Sequence, residues 1–262
     1  MFSINLHYNK DLYDVQELIK NGADVNHKDS DGNTPLHNVL LKCIAEYLIS
    51  KGADVNSRNN KGETPLHTKS LYYESDICQY LIDNGADIDT KDNFGNTPLH
   101  LSVLYHEMKT ITCLIRNNAD INSRNNLGNT PIFNALDNAN TVKYLLESGA
   151  DPKIVNKDHN TILHEAVKYN LESTKAIFSE EQVNYQNKYG YTPLFYALWY
   201  NNLDIFEYLI DNRGNINIQD NKGKTLLHYA FQDNNLNAIK YLFKFGAKIS
   251  VKDNFGKKPF DY

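Results

Sequence analysis

The chain has 262 residues, of which 41% are hydrophobic and 23% charged, and its formal net charge is −5. This composition excludes an intrinsically disordered chain, and the negative balance without a basic run argues against nucleic acid or an anionic membrane as the partner. No apolar stretch approaches the roughly 20 residues that cross a bilayer, so we expect no membrane insertion. The first residues lack the layout of a secretion signal, and the cysteines are dispersed, so we expect a cytoplasmic protein.

The stretch from Asp92 to His100 is the clearest copy of a phrase that returns along the whole chain. Gly95 can take the positive φ of a tight turn, Thr97 suits a helix N-cap, and Pro98 suits the first helical position. The phrase therefore predicts a loop followed by a short helix. Its N-cap position recurs in steps of 30 to 33 residues, at Thr34, Thr64, Thr97, Thr130, Thr161, Thr192, Thr225 and Lys258.

A second phrase, close to Gly-Ala-Asp-x-Asn, follows most copies of the first, for example at Gly52 and Gly85. Between the two phrases, apolar residues recur at helical spacing, as in residues 75–84. The glycine supplies the left-handed residue that ends a helix. Each unit is therefore predicted to contain a loop, a helix, a tight turn and a second helix. Because one such unit cannot bury both helices, neighbouring units must stack.

Both phrases closely resemble those of ankyrin repeats, and the resemblance covers the chain from end to end. It implies an all-α fold, an ankyrin-repeat solenoid of stacked helix-turn-helix units with projecting hairpin loops. The shorter distance between the two phrases in the first two units predicts short helices there. We divide the chain into a divergent N-terminal repeat at 1–28, repeats at 29–58, 59–91, 92–124 and 125–155, a divergent repeat at 156–186, repeats at 187–219 and 220–252, and a truncated C-terminal repeat at 253–262.

The chain departs from the repeat pattern in two places. His159 stands where the turn glycine belongs, and residues 180–184 replace the second phrase, so we expect an altered exit from the second helix of that repeat. Arg213 stands at another left-handed position with Gly214 beside it. We expect a shift of one residue to place the glycine in that conformation.

Five of the nine histidines close the first phrase, namely His37, His67, His100, His164 and His228. Equivalent positions in adjacent repeats lie about 10 Å apart, one helix-packing distance, which is too far for two of them to bind one zinc ion. The family resemblance implies instead that each imidazole bonds the loop backbone and the threonine hydroxyl. No nucleophile elbow, phosphate-binding loop or metalloprotease motif occurs in the sequence. We therefore expect no metal, no cofactor and no enzymatic activity.

The resemblance places partner binding on the loop tips and on the exposed face of each first helix. Aromatic side chains at such positions are typical of binding hot spots. Four of the candidates lie in one repeat and include the only tryptophan, although packing between neighbouring loops is the alternative for each ring. The predicted partner-binding residues are Tyr72, Phe94, Tyr105, Leu127, Tyr169, Tyr189, Tyr191, Trp199 and Tyr200. The last full repeat is predicted to offer only a polar rim, formed by Lys222, Lys224, Gln232 and Asp233.

Four asparagines close the second phrase, with a leucine eight residues before each of them. This pattern resembles the ankyrin asparagines that an oxygen-sensing dioxygenase hydroxylates in animal cells. A structural asparagine that bonds the loop backbone is the alternative. The candidate hydroxylation sites are Asn26, Asn56, Asn122 and Asn217.

We predict a monomeric, non-enzymatic scaffold or adaptor that binds a protein partner through its concave face and loop tips. Two alternatives stay open. The chain could be a host-directed effector adaptor of viral or intracellular-bacterial kind, for example one that recruits a ubiquitin ligase and acts in the host cytoplasm. It could also be a fragment of a larger multidomain enzyme or channel.

Overall fold

The computed structural model describes residues 11–71 and 75–262, and every regular element in those two ranges is a helix. The chain forms two compact units. The first comprises the chain up to Ala135 together with Glu147–Ala150, and the second comprises Leu136–Leu146 and Asp151–Tyr262.

The first unit is built from two rows of short helices. The helices that begin at the Thr-Pro phrase pack one on the next (α2, α4, α6 and the 3-10 helix), and the second helices of the repeats form the other row (α1, α3, α5 and α7). At four residues, α2 is shorter than α6, which agrees with the short spacing in the sequence. The elements are α1 Leu12–Lys20, α2 Pro35–Asn38, α3 Lys42–Ser50, α4 Pro65–Lys69, α5 Ser75–Asp83, α6 Pro98–Leu104, α7 Met108–Arg116 and a 3-10 helix at Pro131–Ala135.

The second unit continues the same alternation as helix pairs. Within it, α9 packs on α10, α11 on α12 and α13 on α14, and α9 also contacts α11. All of α8 except its last residue belongs to this unit. The elements are α8 Ala139–Glu147, α9 Ile162–Ala166, α10 Leu171–Ile177, α11 Pro193–Trp199, α12 Leu203–Asp211, α13 Leu226–Gln232, α14 Leu236–Lys244 and a 3-10 helix at Pro259–Asp261.

The core of each unit contains aliphatic residues that recur at the same position in successive repeats. The aliphatic residue two positions after the N-cap threonine is fully buried in each described repeat, as at Leu99 and Leu194. Most second helices bury a leucine in the same way, as at Leu114 and Leu209. Full burial of such a side chain stabilises the fold by about 1.5–3 kcal/mol, so the repeated leucines explain why consecutive repeats pack together within each unit.

The five histidines of the first phrase join consecutive repeats within each unit. In α6, Nδ1 of His100 accepts the backbone N–H of Thr97 at 3.2 Å and the Thr97 hydroxyl at 2.9 Å, and Nε2 lies 3.1 Å from the carbonyl oxygen of Asn129 in the next loop. Because Nδ1 accepts, the proton is on Nε2, which donates to that carbonyl. The other four histidines repeat these contacts. Burial lowers the pKa of all five, to about 4 for His100 and His164.

Phenylalanine replaces this histidine in two repeats, at Phe133 and Phe195. In those repeats the hydroxyls of Thr130 and Thr192 are buried and make no hydrogen bond. The same threonine is bonded wherever the histidine is present, so the role that the family resemblance implied for the histidine is confirmed.

The loop that precedes a first helix is closed by an aspartate or asparagine and by a glycine, which His159 replaces in the divergent repeat. At Asp92, the side chain accepts the backbone N–H groups of Phe94 and Asn96, and Gly95 has a φ of 78°. A methyl group on Gly95 would lie 2.5 Å from Oδ1 of Asn126 in the next loop, so both the conformation and the close approach require glycine.

The two departures from the repeat pattern have different outcomes. In the divergent repeat, His159 takes the left-handed conformation (φ 58°), and α10 ends at Ile177 after seven residues, so the altered exit is confirmed. The expected one-residue shift at Arg213 is wrong. Arg213 itself has a φ of 70°, while a methyl group on Gly214 would lie 2.7 Å from the carbonyl oxygen of Leu209. The glycine therefore permits close packing and does not take over the left-handed turn.

Candidate functional site

The structure brings the rings of Tyr189, Tyr191, Trp199 and Tyr229 in the second unit together, and we group them with Tyr200, the exposed residue that follows Trp199, as the aromatic surface. They come from a hairpin loop, from the end of α11 with its C-cap residue, and from α13. The members are Tyr189, Tyr191, Trp199, Tyr200 and Tyr229.

Local structure sets the positions of the loop and α11 members. The Asn187 side chain accepts the backbone N–H groups of Tyr189 and Tyr191, and this turn places the two rings 5.8 Å apart. Along α11, Phe195 and Trp199 are four residues apart and therefore lie on one face of the helix, with ring centroids 5.6 Å apart. Phe195 is buried and supports the exposed rings from below.

Trp199 is the centre of the aromatic surface. Its ring meets Tyr191 edge-to-face at 4.8 Å and 86°, and it meets Tyr229 at 5.9 Å and 88°. These contacts are the favourable aromatic geometry, yet 42% of the Trp199 side chain remains exposed. The indole N–H makes no hydrogen bond to any residue in the described part of the chain. Trp199 is therefore oriented by its neighbours and still presents apolar area and a free donor.

The rings near Trp199 differ in how much of their surface is exposed to solvent. Tyr200 is 53% exposed, and Tyr189 is also largely exposed. Tyr191 is half-buried, and its hydroxyl lies 3.5 Å from the hydroxyl of Tyr229. Some of these rings therefore pack within the protein and others are exposed, so both alternatives from the sequence analysis occur. Tyr191 and Tyr229 pack against Trp199 and are partly buried, whereas Trp199 and Tyr200 are exposed to solvent.

The structure does not gather the remaining predicted partner-binding residues into a cluster. Phe94, Tyr105 and Leu127 in the first unit and Tyr169 in the second are exposed. None of the three aromatic residues among them makes a ring contact within the described ranges. Tyr72 lies outside the described residues.

Lys224 lies at one end of the aromatic surface, and its predicted place on a polar rim is wrong. The side chain is only 9% exposed, and its ammonium lies 4.0 Å from the ring centroid of Tyr262 and 5.5 Å from that of Tyr229. It donates a hydrogen bond to Oε1 of Gln232 at 2.7 Å. It makes no ion pair with a residue that the structure describes. The reason is its loop position next to the tyrosines of two successive repeats.

Tyr229 is the member of the aromatic surface that the sequence analysis missed. Its hydroxyl donates to the Asp220 carboxylate at 2.6 Å, and Tyr262 does the same to Asp253 at 2.5 Å, one repeat later. Burial and the Asp220 carboxylate raise the pKa of Tyr229, so the phenol is neutral. A signal was present, because tyrosine follows the last residue of the first phrase in three successive repeats, at Tyr196, Tyr229 and Tyr262.

A cleft of about 420 Å³ opens beside the aromatic surface, with Tyr189 and Tyr191 as its apolar wall. Its other lining residues are Asp220, Asn221 and Lys222. The Asp220 carboxylate is already occupied, because it accepts the Tyr229 hydroxyl and the backbone N–H groups of Lys222 and Lys224. Of the two charged side chains in the lining, Lys222 is exposed to solvent and Asp220 is buried.

Two further lysines near the rings are paired. Lys168 contacts the Glu165 carboxylate at 2.5 Å, and Lys188 contacts Asp158 at the same distance. Their ammonium groups also lie over Tyr196 and Tyr189, at 4.9 Å from each ring centroid. Each of these two ammonium groups therefore contacts both a carboxylate and an aromatic face.

The four asparagines proposed for hydroxylation bridge successive repeats. The Asn26 amide donates to the carbonyl of Gly52, and its oxygen accepts the backbone N–H of Asp54. Asn56, Asn122 and Asn217 donate to the corresponding carbonyls. Asn184 does so in the divergent repeat, although that repeat lacks the rest of the phrase. These contacts account for the asparagines structurally, and their hydroxylation stays a prediction.

Within residues 11–71 and 75–262, no three His, Cys, Asp or Glu side chains approach closely enough to hold a metal ion together. No helix in these ranges has the length and apolar character needed to span a bilayer.

Comparison with known proteins gives one family. The family model for ankyrin repeats (3 copies) matches residues 3–92, 69–156, 136–220 and 163–253. Together these matches cover the chain from residue 3 to residue 253. No curated protein matches the chain.

Proposed function

Because the chain belongs to the ankyrin-repeat family, we propose that it is a non-enzymatic scaffold or adaptor that binds a protein partner through the aromatic surface of its second unit. Ankyrin repeats are protein–protein interaction modules, so a protein partner is the coarse expectation. The finer assignment, to one surface, is supported by the exposed ring of Trp199, which packs on other aromatic side chains, and by the exposed ring of Tyr200, the next residue.

The mechanism of binding follows from the rigidity of that support. An exposed aromatic side chain loses little conformational entropy on binding when its neighbours already fix its rotamer. Trp199 is held by Tyr191, Phe195 and Tyr229, so partner contact would bury its free face at low cost. The free indole N–H adds one directional hydrogen bond to the apolar contact.

The other predicted residues would then act as secondary contacts. Phe94, Tyr105, Leu127 and Tyr169 are exposed, and the three aromatic rings among them lack the ring contacts that support Trp199. The effector-adaptor and larger-protein alternatives have no specific observation in their favour and stay predictions.

Site-specific photo-crosslinking tests the proposal in the full chain. A benzophenone amino acid replaces Tyr200 in one variant and Tyr13, an exposed residue of α1 in the first unit, in a control. We expect the probe at residue 200 to crosslink a protein that the probe at residue 13 does not. Equal crosslinking at both positions, or crosslinking only at residue 13, would contradict the proposal.

A further inference from the structure

Three lysines on the α13 side of the aromatic surface carry positive charge that no described carboxylate neutralises. Lys222 lines the cleft, Lys224 lies against the rings of Tyr229 and Tyr262, and the ammonium of Lys257 lies 4.9 Å from the Tyr262 ring. None of the three makes an ion pair within the described ranges. The other two lysines near the rings, Lys168 and Lys188, are paired with Glu165 and Asp158.

The nearby carboxylates are already used inside the protein. Asp220 and Asp253 are buried, and each accepts one tyrosine hydroxyl and two backbone N–H groups. These hydrogen bonds hold the loops and the tyrosine hydroxyls in place. Neither of these buried carboxylates forms an ion pair with one of the three lysines.

Lys224 is the most informative of the three because it is nine-tenths buried. Of its three ammonium hydrogens, one is donated to Gln232, and aromatic faces take most of the remaining contact. A charge that is largely removed from water and lacks an ion-pair partner is poorly stabilised. A carboxylate that reached it from a bound partner would form a charge-assisted hydrogen bond in a partly desolvated setting, where such bonds are strong.

The cleft favours a ligand that carries an apolar group close to its charged group. Its volume of about 420 Å³ and its tyrosine wall suit one large apolar side chain. Lys222 lies in the lining of the same cleft, so a ligand would meet an apolar wall and an ammonium group together.

We propose that the aromatic surface binds an acidic peptide segment of the partner, in which an aromatic or large aliphatic side chain enters the cleft and flanking carboxylates pair with Lys222 and Lys224. This inference rests on the proposed function and narrows it to one chemical class of partner. A long polyanion such as RNA fits less well, because the net charge of −5 repels it beyond the three lysines.

Selection from random peptides provides the test. Wild-type protein is used to select 12-residue peptides by display, and the strongest binder is synthesised with a fluorescent label for anisotropy measurements. We expect the selected peptides to place Asp or Glu within two positions of an aromatic or large aliphatic residue. Lys222→Glu and Lys224→Met should each weaken the labelled peptide about tenfold. Lys240→Glu, the same charge reversal at an exposed position of α14, should change its affinity less than twofold.

The outcomes separate this inference from the function on which it rests. Peptides that need Trp199 but show no acidic preference, or that bind Lys222→Glu as well as wild type, would overturn the inference and leave the proposed function standing. Peptides that bind equally well after Trp199→Ala, or a selection without any binder, would overturn both. Displacement of the peptide by oligouridylate at equal concentration would identify RNA as the better ligand and overturn the acidic-peptide assignment. Lys222 is exposed, so its variant keeps the test valid even if Lys224→Met lowers the melting temperature.

Discussion

Mild acid should destabilise this protein through the histidines that join its repeats. In each of them Nδ1 accepts a backbone N–H, so protonation of Nδ1 would break that bond and place a charge in a buried position. Burial therefore lowers the folded-state pKa below the unfolded value of about 6.5. The resulting stabilisation is fully present above pH 6.5 and is lost as the pH falls toward the folded pKa.

The magnitude follows from the two histidines whose folded pKa is lowered to about 4, His100 and His164. At pH 5.5 about nine-tenths of each side chain is protonated in the unfolded state, whereas the folded side chain stays almost entirely neutral. Linkage then removes between about 1 and 2 kcal/mol per residue relative to pH 7.5, or about 3 kcal/mol for the pair. Glu107 acts in the opposite direction, because burial raises its pKa. A single-residue variant is therefore needed to isolate the histidine contribution.

His164→Phe is the matched variant, because the chain itself carries phenylalanine at the equivalent position in Phe195. Urea unfolding is followed at pH 7.5 and 5.5 by far-UV circular dichroism and by the fluorescence of Trp199. We expect wild type to lose stability between the two pH values and His164→Phe to lose between about 1 and 2 kcal/mol less. Equal stability of wild type at both pH values would refute the reasoning. So would an unchanged pH dependence in the variant.

Two pairs of variants test the local geometry by the free energy of unfolding. Thr97→Val should lower the free energy of unfolding by about 1 kcal/mol, because it removes a hydroxyl that bonds a buried imidazole. Thr130→Val should leave the free energy of unfolding unchanged, because that hydroxyl has no hydrogen-bond partner. Equal effects of the two substitutions would contradict the assignment. Gly95→Ala should lower the free energy of unfolding clearly more than Gly85→Ala. Both glycines have positive φ, but only the methyl group at residue 95 would meet a neighbouring loop, at 2.5 Å. A smaller loss of stability at residue 95 would show that the neighbouring loop moves to accommodate the methyl group.

Much of the fold can be predicted from the sequence because its determinants are local and periodic. The N-cap threonine, the turn glycine and the histidine contacts depend on residues at fixed spacing, which repeat with little variation. Arg213 shows where this reasoning stops. A glycine beside a left-handed position suggested a shift, but the structure uses Gly214 for close approach to the Leu209 carbonyl oxygen, a packing requirement that local pattern does not reveal.

The candidate site could be predicted only in part, for a similar reason. Tyr189, Tyr191, Trp199 and Tyr200 lie close together in the sequence, so their clustering was visible there. Tyr229 joins them from the next repeat, 38 residues after Tyr191, and Lys224 reaches the rings only because its loop packs beside α13. Contacts between repeats depend on side-chain direction at the stacking interface, which spacing along one repeat does not determine.

The most direct test of the central claim is the affinity of the crosslinked partner for two variants of the full chain. Calorimetry would compare wild type with Trp199→Ala/Tyr200→Ala and with Phe243→Ala, an exposed aromatic residue of α14 outside the aromatic surface. Because truncated hot-spot aromatics cost about 2–4 kcal/mol of binding free energy, the double variant should bind at least 30-fold more weakly while circular dichroism shows that it stays folded. Phe243→Ala should bind as wild type does. Undiminished binding by a folded Trp199→Ala/Tyr200→Ala variant would contradict the assignment of partner binding to the aromatic surface.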